Sequence, residues 1–162
     1  MISGEMFTSE TTALTPTLYR LCMSILHKEQ DAQDAVQQGL CKAWGMKERI
    51  HPESFRPYLT RIIINECRNI QRHRQRVMPV EAVEILEKAY LPEETGLKAA
   101  IDVLPETLRT PLLLFYMENY SEREIAQSLN ISLVAVKNRL FRARQKLKVA
   151  LKGKEVDAAC EN

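Results

Sequence analysis

Asn138 and Arg142 stand four residues apart in a segment that holds eight Lys or Arg and no acid between Ile125 and Lys154. On a helix the two share one face, and they are the side chain types that hydrogen-bond base edges bidentately, Asn to adenine and Arg to guanine. Val134 and Ala135 fall on the same outward side. Lys137 and Arg139 flank it, where cations would meet the phosphates on either side of a groove. This chemistry is recognition rather than bond making. No catalytic constellation competes with it: His27, His51 and His73 are isolated, and no pair of carboxylates shares a convincing face. The four cysteines and three histidines are scattered without metal-ligand spacing, so neither metal nor cofactor is expected.

The elements that must hold Asn138 and Arg142 are legible around them. Ser121 followed by Glu124 is a capping box, and Tyr120 with Ile125 can form the hydrophobic staple that fixes a helix entry. Ala126 is small enough for a close crossing, Asn130 tolerates the left-handed conformation that ends a helix, and Ser132 can cap the next one. Val136, Leu140, Ala143, Leu147 and Leu151 then form the inward stripe of the second helix. Two helices over a tight turn, the second basic, make a helix-turn-helix. The bland alternative is a solvated amphipathic helix.

The net charge of +2 over 162 residues supplies no global field for nucleic acid, so local distribution matters. Arg61, Arg68, Arg72, Arg74 and Arg76 form a basic block. An acidic stretch with Glu81, Glu84, Glu87, Glu93, Glu94 and Asp102 follows it. The N-terminus has no cationic region leading into an apolar run, and no apolar stretch is long enough to span a bilayer, so a cytoplasmic location is expected. Cys22, Cys41 and Cys67 are expected as reduced packing residues.

Strand signals are almost absent and helical periodicity recurs, which predicts an all-α fold. Leu18, Leu21, Cys22, Ile25 and Leu26 mark a first helix. Ala32, Ala35, Val36, Gly39, Leu40, Ala43 and Trp44 mark a second, with small residues for close packing. A third begins after Pro52, with Phe55, Leu59, Ile62, Ile63 and Ile70 inward. Arg61, Asn65, Arg68 and Arg72 lie on its outer face. That face reads equally as a phosphate and base surface or as a solvated one, and Glu66 on the apolar side has no evident partner. Pro79, Pro92 and the acids mark a linker. A second module starts at Leu97, and Pro111 is expected to bend or divide its leading segment. Each module offers only a small DNA face, and the linker leaves their spacing undefined.

Four segments in order carry a family resemblance. DAQDAVQQGLCKAW at 31–44, FRPYLTRIIINECRNIQRHRQR at 55–76, LPETLRTPLLLFYMENYSEREIAQSLNIS at 104–132 and VKNRLFRARQKL at 136–147 together resemble bacterial RNA polymerase sigma factors of the extracytoplasmic function (ECF) class. The resemblance runs from about Leu18 to Leu147. It implies two small helical domains joined by a flexible linker: region two over 1–76, the linker over 77–95, region four over 96–152, and a polar tail over 153–162. Gln33 and Gln38 stand where the family usually has Glu. Val134, Ala135 and Asn138 replace frequent Gly, Thr and Ser, which implies a different upstream sequence preference.

The resemblance also implies roles. Asp34, Gln37 and Gln38 would bind the beta-prime clamp of core RNA polymerase, with the beta flap as a further polymerase contact. The loop from Lys47 to Glu53 would capture a base turned out of the melted downstream promoter element, beside Arg61, Asn65, Arg68 and Arg72. Val134, Ala135, Lys137, Asn138, Arg139 and Arg142 would read the upstream element as duplex. Partners would be core polymerase, promoter DNA and an anti-sigma factor, which in relatives is often membrane-anchored. No enzyme activity and no small-molecule substrate are implied. A stand-alone helix-turn-helix regulator, with residues 1 to about 90 sensing or dimerising, is the alternative.

Overall fold

The computed structural model describes residues 2–77 and 96–160, with side chains as far as Lys152, and every regular element among them is helical. Helix α1, Gly4–Leu26, begins where the Ser3 hydroxyl accepts the Met6 N–H at 3.2 Å. It stops where His27 turns left-handed, at φ 58°, and returns its N–H to the Met23 carbonyl. Helix α2 spans Glu29–Gly45, and two 3-10 turns, Lys47–Arg49 and Pro52–Ser54, lead into α3, Phe55–Val77. The expected linker lies, after Val77, outside the described residues.

The small residues of α2 do what their size allows. Ala32, Ala35 and Ala43 are fully buried, and a Cβ added at Gly39 would overlap the Ile63 side chain of α3. Glu66, which has no partner legible in the sequence, is met from α2 by Lys42, whose side chain remains largely exposed. The last carbonyls of α1 have no intrahelical donors, and no basic residue sits in its own last turn. Side chains from elsewhere supply the bonds: Arg74 donates to Leu26 at 2.9 Å, Gln71 to Ile25 at a long 3.5 Å, and Arg109 to Ser24 at 2.7 Å. Arg74 also pairs with Asp31 and is itself buried.

The second half holds α4, Leu97–Asp102; α5, Glu106–Tyr116; α6, Glu122–Leu129; and α7, Leu133–Cys160. Pro111 does not divide its segment. It is buried inside α5, and the break falls instead at Val103–Pro105, where Pro105 caps α5. A proline in a helix interior removes one N–H bond to the carbonyl four residues back. Here that is Thr107, which is exposed to water. Cys41 also departs from expectation: it is exposed on α2, whereas Cys22 and Cys67 are buried with their sulfurs 3.4 Å apart.

The largest departure concerns the spacing of the halves. One hydrophobic cluster runs through both, from Leu18, Leu26, Leu59 and Ile63 to Leu114, Tyr120, Ile125 and Leu140. Helix α6 packs on α3, and α5 packs on α1. The two modules are docked.

Candidate nucleic-acid interface

The helix-turn-helix is closed at each point where the chain must turn. The Ser121 hydroxyl accepts the Glu124 N–H at 3.1 Å, and the Glu124 carboxylate accepts the Ser121 N–H at 2.8 Å, completing the capping box. Asn130 ends α6 in the left-handed region at φ 55°. Its neighbour Ile131 donates to Ala126, and the Ser132 hydroxyl accepts the Ala135 N–H at 3.1 Å at the start of α7. Val136, Leu140 and Ala143 are wholly buried, which turns Val134, Asn138 and Arg142 outward into solvent. Lys137 is exposed and lies 3.8 Å from Glu122 of α6. Ala135 and Arg139 are half-buried. Phe141 is 59% exposed beside Asn138 and Arg142, and Gln145 is exposed one turn on. The sequence reading omits both, although the same wheel that gives the inward stripe places them outward.

On α3, Arg61, Asn65 and Arg72 are exposed, while Arg68 is half-buried. The loop between α2 and α3 is anchored by Ile50, 3% exposed, and by Lys47, whose ammonium sits 3.8 Å over the Trp44 ring. Trp44 keeps 46% of its surface exposed and meets Phe7 edge-on. Asp34, Gln37 and Gln38 are all exposed and contiguous on α2.

Docking brings together residues of the two sets expected from the sequence to face DNA. Arg68 and Arg139 line one cavity of about 30 Å³, shared with Glu106, Thr110 and Leu129. Arg61 lines a second cleft, of about 380 Å³, with Gln127, Asn130 and Ile131. Polar contacts fix the junction. Arg20 grips Glu118 through two 2.9 Å hydrogen bonds, and Thr17 donates to the same carboxylate at 2.8 Å. Arg56 donates to the Glu118 carbonyl at 3.2 Å and approaches Glu124 at 3.5 Å. Burial alone would raise the Glu118 carboxyl, but hydrogen bonds from Arg20 and Thr17, with the charges of Arg20 and Arg56, hold it below its ordinary value. None of these junction contacts is visible in a helical wheel, because each joins residues about 60 to 100 positions apart.

A separate apolar groove of about 490 Å³ lies between α4, α5 and α7. Leu97, Ile101, Leu113, Met117, Leu147 and Leu151 line it, together with Arg144 and Lys148. Among the described residues no helix is long and apolar enough to cross a membrane.

Comparison with known proteins accounts for both modules. Residues 12–77 match the family model for sigma-70 region 2, and residues 95–147 match that for sigma-70 region 4. The RNA polymerase sigma factor SigV of Bacillus subtilis is 30% identical over 138 residues, which cover 82% of this chain and 83% of that protein. Two solved structures superpose on nearly the whole chain, each at TM-score 0.69 and 25% identity. They are the sigma factor RpoE in complex with the anti-sigma factor NepR from Bartonella quintana, covering 90% of this chain and 96% of that one, and CnrH in complex with the cytosolic domain of CnrY, covering 93% and 90%. With regions 2 and 4 in order on one all-helical chain, and a relative matched over most of both lengths, the protein belongs to the ECF class of RNA polymerase sigma factors.

Proposed function

We propose that this sigma factor divides promoter recognition between its two modules, residues 1–76 and 96–152, while core RNA polymerase holds them at the working distance. The observation that carries the reading is the outward face of α7, where Asn138 and Arg142 project from a fully capped helix-turn-helix. Val134, Ala135, Asn138 and Arg142 read the upstream element in the major groove, and Lys137 and Arg139 meet its phosphates. Arg61, Asn65, Arg68 and Arg72 hold the melted downstream strand. The loop from Lys47 to Glu53 receives an extruded base, whose unstacking costs a few kcal/mol and must be offset by such contacts.

Asp34, Gln37 and Gln38 dock on the beta-prime clamp. The apolar groove beside α7 has the size and lining to take an amphipathic helix, which fits the beta flap, and Arg144 and Lys148 suit acids on that helix. The RpoE structure is a complex with the anti-sigma factor NepR and the CnrH structure one with the cytosolic domain of CnrY, and an anti-sigma factor is proposed here as well, with membrane anchoring as one form it takes. The chain works in the cytoplasm and adds no cofactor; polymerase performs the chemistry.

Reconstitution tests this. Core polymerase with the purified chain should initiate at a defined start, and Asp34→Ala with Gln38→Ala should reduce core binding before DNA is added. Tight, sequence-specific operator binding by the chain alone, with no gain from core polymerase, would instead indicate a stand-alone regulator.

A further inference from the structure

We propose that the cavity of about 30 Å³ enclosed by α3, α5 and α7 is a binding site for one monatomic anion of the size of chloride, held by Arg68, Arg139 and the hydroxyl of Thr110. The site does not depend on the DNA-facing roles proposed for the two arginines.

Three side chains at this cavity lack the partners their chemistry requires. Arg68 of α3 and Arg139 of α7 are half-buried, and among the described residues neither donates a hydrogen bond nor meets a carboxylate at ion-pair distance. Thr110 of α5 is 4% exposed, and its Oγ1, shielded from solvent, has no hydrogen-bond partner. A buried hydroxyl and two partly desolvated like charges are unfavourable unless something between them accepts hydrogen bonds and carries negative charge. Glu106 is the one carboxylate on the lining. It already accepts Gln71 at 3.1 Å, and against two guanidinium groups it leaves one positive charge in excess.

Size selects the ligand. A water molecule needs about 10–15 Å³ of such space, so the cavity accepts one ion little larger than water and excludes a tetrahedral phosphate or sulfate. Ile64 and Leu129, both buried, wall it with hydrocarbon, which lowers the local dielectric and strengthens the attraction between the ion and the guanidinium groups. Glu106 stands in the first turn of α5, where unpaired N–H groups and the helix dipole also favour negative charge. Water alone would satisfy the hydroxyl but leave the arginines without a counter-charge, whereas chloride accepts from all three donors. Bound there, the ion ties α3 to α5 and α7, so the junction responds to which anion is present and not only to ionic strength.

Chloride NMR on the full-length chain tests the site, with potassium chloride replacing potassium glutamate at constant ionic strength, because the glutamate anion is too large for the cavity. Wild type should broaden the chloride signal saturably, with one site per chain. Thr110→Val, which keeps the shape and removes the hydroxyl, should weaken binding roughly fivefold, the worth of one hydrogen bond. Thr110→Ser should restore it. Glu106→Gln, which removes the competing negative charge, should tighten binding by roughly threefold or more. Arg68→Gln with Arg139→Gln should abolish the saturable broadening, with circular dichroism showing unchanged helicity; if helicity falls, the Thr110 and Glu106 variants decide alone. Broadening that is linear in chloride and unchanged by these substitutions would mean an adventitious ion only and would overturn the site. Saturable binding that appears only in Glu106→Gln would overturn it too, since the wild-type carboxylate, bridged by water, would then be the counter-charge of the arginines.

Discussion

The Arg56 guanidinium lies 3.8 Å over the ring of Tyr120, joining α3 to the turn that precedes the helix-turn-helix. The same tyrosine meets the Thr60 hydroxyl, and because Thr60 already donates to the Arg56 carbonyl at 2.8 Å, the Tyr120 phenol is the donor. Burial pushes that phenol above its ordinary value. Tyr120→Phe should cost about 1 kcal/mol, the net worth of one hydrogen bond. Tyr120→Ala should cost about 3–5 kcal/mol, as for other buried aromatics. Urea denaturation distinguishes them; equal losses would show that the hydroxyl, not the ring, holds the junction.

Gly39 gives a second stability test. Gly→Ala in an exposed helix usually gains up to about 1 kcal/mol. At Gly39 the added methyl would overlap Ile63, which is fully buried and β-branched, so the helix must move. Overpacking of this kind costs about 1–3 kcal/mol, and net destabilisation is expected. A raised melting temperature for Gly39→Ala would contradict this packing.

A fall in pH below neutral should weaken the fold through His27. Burial, then the charges of Arg109 and Arg74, lower the pKa of His27 from 6.5 to about 4, against a backbone hydrogen bond at Met23 that favours the proton. Between those values the unfolded chain binds a proton at this site and the folded chain does not. Stability is therefore full above pH 6.5 and declines as pH falls toward 4. Asp31 pairs with Arg74 in the same cluster. His27→Asn keeps a residue tolerant of the left-handed conformation and should flatten the profile over that window. An unchanged pH dependence in His27→Asn would assign the loss to other groups.

The base-reading and phosphate-binding roles proposed for α7 are separable by sequence profile. Asn138→Ala or Arg142→Ala should cost about 1–3 kcal/mol on the preferred upstream element and relax its sequence preference. Lys137→Ala should weaken all sequences alike and reduce the salt dependence. Binding measured with core polymerase across a panel of single-base variants checks this, and identical profiles for Asn138→Ala and Lys137→Ala would be incompatible with the assignment.

Cys41 makes the face of α2 proposed to meet polymerase chemically addressable. It is exposed one turn from Gln37 and Gln38, while Cys22 and Cys67 are buried. A bulky maleimide at Cys41 should block core binding, with Cys41→Ser as the insensitive control. Full core binding by the labelled protein would remove this face from the contact.

The parts of this molecule that could be read from sequence are those set by neighbours within a few residues. Ser121, Glu124, Asn130 and Ser132 act over three or four positions, and each adopts the cap or turn its chemistry favours. The inward stripe of α7 follows from period alone. Of the two outcomes expected at Pro111, division did not occur, because the local cost of a proline in α5 is one hydrogen bond, whereas the burial of its neighbours Leu112 and Leu114 is a tertiary gain. Cys41 failed because a small, weakly polar side chain carries little information about which side of a helix it takes. The docking of the modules lies beyond any periodicity: Arg20 and Glu118 look like ordinary surface charges until the fold places them together.

The end of α1 has a division of labour that bears on how the two halves can part. Leu26 and Ile25 receive their donors from Arg74 and Gln71, both on α3, whereas Ser24 receives its donor from Arg109 across the junction. Departure of the second module therefore strips one carbonyl near the surface, which water can solvate, and leaves the terminal two held by the first module itself. At the end of α1 the seam between the halves is thus crossed by one side chain alone, and the helix terminus belongs to the first module.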